Sequence, residues 1–147
     1  MTTSKVCLLD TNVLVYAADK NSPFFESSRK LIESGFAGKI DLCISPQTIS
    51  EFFAVITDSK RVDNPRTQEE ALTEIKKYLQ SKRIRKIYPG PETSNTMVDL
   101  LERYPVKKQE IFDLQLVATM LSNRVKRIFT FNREDFLKFA DIEVVEP

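Results

Sequence analysis

The sequence predicts an α/β fold, a central parallel sheet of four to five strands with helices on both faces. Val6-Cys7-Leu8-Leu9 is an unbroken apolar run, which suits a strand buried on both sides in the middle of a parallel sheet. Strand-like and helix-like stretches then alternate to the end of the chain, the pattern of βα units. No repeat, low-complexity tract or linker breaks that alternation, and 147 residues suit one domain spanning 1–147.

The first strand delivers Asp10 to its carboxyl end, where ligand crevices open in α/β sheets. A short helix starts at Asp10 or Thr11, so Asp10 also suits the commoner job of an N-cap carboxylate. Ser22-Pro23 breaks the chain, and 24–36 reads as a second helix whose end is bracketed by Gly35 and Gly38. A second strand at 41–45 runs into Pro46, which fits the first turn of a third helix. Ile49, Phe52, Phe53 and Ile56 form that helix's apolar stripe and leave Glu51 roughly opposite, a position that favours a solvated glutamate.

Residues 61–66 form a loop, and Thr67 with Glu70 is a capping-box pattern that opens a helix to about Leu79. Its expected buried face is Ala71, Leu72, Ile75 and Leu79. Residues 82–88 form a strand bearing Lys82, Arg83, Arg85 and Lys86, readable as a protected edge or as a phosphate-contacting patch. After a helix over 93–104, the stretch 109–123 is apolar nearly all round and is expected to be buried. Asp113 falls between Met120 and Val117 on that wheel, and a buried carboxylate is costly unless paired, hydrogen-bonded or bound to a cation. A strand at 126–131 leads to Asn132, which suits an N-cap with Asp135 at the third helical position, and 142–145 closes the sheet.

Composition narrows the chemistry. There is no histidine, which excludes Ser-His-Asp and Cys-His nucleophile systems and a histidine-held zinc. Acid and base groups must then be carboxylates, amines or water activated by a metal. A net charge of +1 advertises no global attraction to nucleic acid. Cys7 and Cys43 lie in apolar runs and read as buried reduced thiols. No apolar run approaches the roughly 18 residues of a membrane helix. Met1–Lys5 leads straight into the first strand without a signal-peptide pattern, so a cytoplasmic protein without membrane partners is expected.

Asp10 and Asn132 directly follow strands, Glu51 lies two turns into the helix after another, and Asp113, near the start of a buried helix, is within reach of the same carboxyl edge. Clustered carboxylates repel unless a cation neutralises them, and oxygen-only ligands select hard ions such as Mg²⁺ or Mn²⁺. With these residues the chain resembles a PIN-domain nuclease, and more narrowly a VapC-type ribonuclease toxin. The fragments that carry the resemblance are Leu9-Asp10-Thr11-Asn12-Val13-Leu14, Ile44-Ser45-Pro46 with Ser50-Glu51-Phe52, Ile111-Phe112-Asp113 with Val117-Ala118-Thr119, and Thr130-Phe131-Asn132 with Asp135-Phe136. Each is weak alone; in order and at sensible spacing they are strong.

The resemblance implies a Rossmann-like sheet and a Mg²⁺-dependent endoribonuclease. Asp10 and Asp113 would be the principal metal ligands and Glu51 a further acid, with Thr11, Asn12 and Thr130 in support. It also implies a homodimer and a cognate antitoxin. Where many relatives carry a fourth acid, this chain has Asn132, which leaves the fourth position to Asn132 or to Asp135. RNA would be held by cations, with Lys82, Arg83, Arg85, Lys86, Lys107 and Lys108 as candidates. A receiver-like module is less compatible, because Leu9-Asp10 supplies no acidic pair. A haloacid-dehalogenase-like phosphatase wants an acid where Asn12 stands. A catalytically silent PIN domain that only binds is the remaining alternative.

Overall fold

A computed structural model describes residues 5–147. Residues 1–4, part of the reading of the N-terminus given above, lie outside the described residues. The strands are β1 (Cys7–Leu9), β2 (Leu42–Ile44), β3 (Ile84–Lys86), β4 (Arg127–Phe129) and β5 (Glu143–Val145). They form one parallel sheet in the order β3-β2-β1-β4-β5. The helices are α1 (Thr11–Ala17), α2 (Phe25–Phe36), α3 (Pro46–Ile56), α4 (Gln68–Gln80), α5 (Thr93–Arg103) and α6 (Glu110–Ser122).

The order of strands explains the position of everything else. The chain builds outward from β1 to β2 and β3, then crosses back to lay β4 on the other side of β1. Right-handed crossovers put the helices of these two legs on opposite faces. Alternation along the strands agrees. Cys7, Leu9, Leu42 and Ile44 pack with Val13, Ile32, Phe52 and Ile75 from α1–α4. Leu8, Cys43 and Ile128 pack with Leu100, Leu114, Val117 and Met120 from α5 and α6. The reversal of direction falls between β1 and β4, the place where α/β sheets open a crevice at their carboxyl edge.

Local chemistry accounts for the element ends. Ser45 caps α3, its hydroxyl accepting from the Thr48 N–H, with Pro46 at the first turn. Thr67 and Glu70 form the full reciprocal capping box of α4. Gly38 follows α2 at φ +75°, a left-handed backbone. Gly35 lets α2 approach the sheet, since a Cβ there would meet Leu42 Cδ1 at 2.5 Å. Both cysteines are buried and free, and burial pushes the Cys43 thiol up to about 12.

Several expectations are corrected in detail. The buried face of α4 is Ala71, Ile75 and Tyr78, whereas Leu72 and Leu79 are exposed. The tyrosine ring stacks on Phe36 and packs edge-on to Phe52, which rotates the helix from the face expected of its leucines. The buried run of α6 is Leu114 and 116–120; Phe112, in its first turn, is 53% exposed. The basic strand is shorter than expected and lies at the sheet's edge, as its lysines and arginines suggest. No helix among the described residues is long and apolar enough to cross a membrane.

Candidate active site

Asp10 leaves β1 and caps α1, so the two readings of this residue coincide. Its Oδ1 accepts from the Thr11 N–H at 2.8 Å. Its Oδ2 accepts from the Thr130 hydroxyl at 2.8 Å and from the Asn12 carboxamide at 3.3 Å. Thr130 directly follows the neighbouring strand β4, so the contact bridges the carboxyl ends of the two strands at the switch point. The same hydroxyl accepts from the Asn12 side chain (3.3 Å) and from the Asn132 N–H (2.9 Å), while Asn12 Oδ1 accepts from the Phe131 N–H (3.3 Å). Asp10 is thereby fixed in place by residues from both strands.

Glu51 comes from α3 and lies on the groove wall rather than in open solvent. Its Oε2 accepts from the Thr11 hydroxyl at 3.0 Å and its Oε1 from the Gln47 amide at 3.2 Å. Helix periodicity placed Glu51 off the apolar stripe correctly, but the far side of α3 faces α1 and the crevice, not bulk water. Gln47 also donates to the Phe112 carbonyl at 2.9 Å, tying α3 to the first turn of α6. That bond brings a residue of one helical layer to the start of a helix in the other.

Asp113 sits in that first turn, half-buried, and accepts no hydrogen bond among the described residues. It is less deeply buried than the helical wheel implies, because the buried run of α6 starts only at Leu114. Asp135, on the 3₁₀ turn 133–135 after β4, and Asn132 are both exposed. Asn132 makes no side-chain cap, contrary to the N-cap reading. Its carboxamide lines the same groove as Asp135.

Asp10, Glu51, Asp113, Asn132 and Asp135 together line one groove of about 490 Å³. Their charges act on one another. Burial, and then the charges of Asp135, Asp10 and Glu51, push the Asp113 carboxyl up to about 7. Burial also raises Asp10, against the lowering effect of its Thr130 and Thr11 bonds, and Glu51 and Asp135 raise it further. Among the described residues, no three acidic or thiol groups converge tightly enough to form a ready-made metal cage. The donor set is nevertheless all oxygen and carries uncompensated negative charge, a combination that fits a hard divalent cation.

Sequence reasoning missed two residues that line this groove, Tyr16 and Arg61, and a third, Gln47, that supports Glu51 beside it. Gln47 stands one helical turn before Glu51, a spacing that signals a side-chain contact. Tyr16 lines the groove and packs its ring on Phe24 and Phe131 at 5.1 and 5.3 Å. Arg61, in the loop after α3, is the one basic residue on the groove wall among the described residues. None of the six cations proposed from sequence lines it. Arg85 lies 3.9 Å from Asp41, and Lys86 donates to the Ser81 carbonyl.

Residues 7–142 match the family model described as PIN domain. The chain belongs to the PIN domain family. Within that family it is 26% identical over 140 residues to "Ribonuclease VapC48" of Mycobacterium tuberculosis, covering 94% of each chain. Among solved structures, the PIN fold of this chain matches the Mycobacterium tuberculosis toxin VapC20, which cleaves the sarcin-ricin loop. The TM-score is 0.69 at 14% identity, covering 97% of this chain and 100% of that one. It also matches a chain of a toxin–antitoxin complex from Klebsiella pneumoniae, with a TM-score of 0.62 at 20% identity over 96% and 97% of the two chains.

Proposed function

We propose that this PIN domain is a Mg²⁺-dependent endoribonuclease of the VapC toxin type that hydrolyses RNA phosphodiester bonds. The observation that carries the reading is the uncompensated acidic groove at the β1/β4 switch point, with carboxylates delivered from both helical layers. Asp10 and Asp113 would hold the ion, with Glu51 as a further acid, and Mn²⁺ would substitute. Bound there, a divalent ion supplies Lewis-acid stabilisation of the charge that builds on the phosphoryl group and lowers the pKa of water.

The chain's own residues divide the remaining work. Thr130, Asn12 and the Thr11 N–H hold Asp10 in one orientation, so its position costs no reorganisation during reaction. Thr11 and Gln47 do the same for Glu51. Asp113, free of donors and with its carboxyl pushed up to about 7 by burial and its acidic neighbours, is left open to a cation that would offset that repulsion. Asp135 and Asn132 close the outer side of the groove, and one of them fills the fourth position.

The complexed relatives point to a cognate antitoxin as partner, and family resemblance to a homodimer. One observation favours a second reading, a silent PIN domain that binds RNA or protein: Asn132 brings no charge where many relatives carry an acid. Cleavage separates the two. Total RNA is incubated with wild type, Asp10→Asn and Asp113→Asn, with Mg²⁺ and with a chelator. Cleavage by wild type with Mg²⁺ alone is expected; equal outcomes for all three proteins would end the nuclease reading.

A further inference from the structure

The groove presents a problem for its own substrate: four carboxylates line it, and an RNA strand brings one negative charge per phosphate. A single divalent ion offsets only part of that repulsion. Some fixed positive charge must therefore meet the strand, yet the basic edge strand β3 lies two strands away from the β1/β4 crevice.

Arg61 lies on the wall of the acidic groove, together with Ala54 and Val55 of α3. Its side chain is exposed and makes no ion pair among the described residues, although four acids share the groove with it. Nor is it among the charges that act most on Asp113 or Asp10. The charges that act most on Asp113 are Asp135, Asp10 and Glu51, with Lys138 as the opposing cation. For Asp10 they are Glu51 and Asp135.

The loop that carries it is held at both ends. The Arg61 N–H donates to Asp58 O at 3.0 Å, and the Val62 N–H to the same oxygen at 3.1 Å. Further on, the Arg66 N–H donates to Ile56 O at 2.7 Å and its guanidinium to the Ala18 carbonyl. A guanidinium that is charged at every working pH, anchored at its backbone and unpaired at its head is built to receive an anion from outside.

We infer that Arg61 is a substrate-positioning residue that clamps a phosphate of the RNA strand adjacent to the scissile one. The assignment rests on the ribonuclease reading above. Ala54 and Val55 stand one helical turn, about 5.4 Å, beyond Glu51 on α3, and Arg61 shares the groove wall with them. The phosphate it meets is accordingly a neighbour of the reacting phosphate along the strand. Arg61 then adds to binding and register without touching the reacting atoms.

The test uses the non-cleaving Asp10→Asn protein and a fluorescein-labelled single-stranded RNA spanning the site that wild type cuts. Affinity is measured by anisotropy across a salt series. Adding Arg61→Gln is expected to weaken binding roughly three- to fivefold, as for an exposed ion pair, and to lower the slope of log K against log salt by about 0.7. Arg61→Lys should keep the salt slope and lose part of the affinity. A methylphosphonate at one position next to the cleaved bond should abolish the difference between the Arg61 protein and the Arg61→Gln variant.

In the cleaving protein, Arg61→Gln should raise KM and leave kcat unchanged. Equal salt slopes, or a difference that survives every single methylphosphonate, would overturn the assignment; so would an Arg61→Gln effect confined to binding a protein partner. If wild type cleaves RNA and the slopes are equal, only Arg61 is wrong. If it neither cleaves nor binds RNA, the ribonuclease reading has failed first.

Discussion

Glu143 and Asp141, at the amino end of the sheet, each pair with an arginine; Asp10 and Asp113, at its carboxyl end, pair with none. Arg127 donates to Glu143 at 2.7 and 3.3 Å, and Asp141 accepts from Arg103 at 2.9 Å and from the Tyr104 hydroxyl at 2.7 Å. These partners hold both carboxyls below their usual range. At the other end, burial and neighbouring carboxylates push Asp10 and Asp113 above it. One edge has its charges matched by the fold itself. The other is left mismatched, and strained electrostatics of this kind gathers where a protein acts on something else.

The largest effect that would break this contrast is on cleavage. Asp10→Asn and Asp113→Asn should each slow RNA hydrolysis at least about a hundredfold. Asp113→Asn should not lower the melting temperature measured without divalent ions, since it removes a repelled charge. A variant that lost its fold along with its activity would instead give Asp113 a structural job. Next comes Thr130→Val. It removes a buried hydroxyl, strips Asp10 of a donor and takes the acceptor from the Asn132 N–H. A loss of about 1–3 kcal/mol in denaturant unfolding is expected, with slower cleavage.

Much of this was legible in the chain. The run Val6–Leu9 and the alternation of elements announce a parallel sheet, and the parallel sheet announces where Asp10 must emerge. Residues whose role depends on one strand or one cap, such as Asp10, Ser45 and the Thr67–Glu70 box, are visible because their signal is local. Glu51 and Asp113 were harder. A helical wheel reports which face is apolar but not what the other face meets, and for Glu51 it meets α1 across the crevice. Tyr78 and Arg61 were not legible in these roles, because the rotation of α4 and the path of the loop after α3 are set by tertiary packing.

Proton linkage sharpens the comparison more gently. The Asp113 carboxyl moves from its ordinary 3.8 up to about 7 in the folded protein. Between those values the native state holds a proton that the unfolded chain has released. Stability from this group is therefore fully present below 3.8 and is lost as pH rises through about 7. Without divalent ions the melting temperature should fall across that window, and Asp113→Asn should flatten the fall. Under the proposed reading Mg²⁺ would compete with the proton, so its stabilising effect should grow with pH over the same range.

Two smaller effects complete the series. Asn132→Asp adds a fifth carboxylate to the groove, and should strengthen the Mg²⁺-induced rise in melting temperature while lowering the melting temperature measured without the ion. Glu143→Gln, at the matched edge, should leave cleavage untouched and shift the melting temperature least of all these variants. A cleavage defect in that variant would show that the two edges are not independent.

The most direct measurement is a carboxyl carbon NMR titration of Asp113, with and without Mg²⁺. The account predicts a midpoint near 7 without the ion, and a midpoint displaced well downward once Mg²⁺ is present. A midpoint in the ordinary aspartate range that Mg²⁺ leaves unmoved would contradict it.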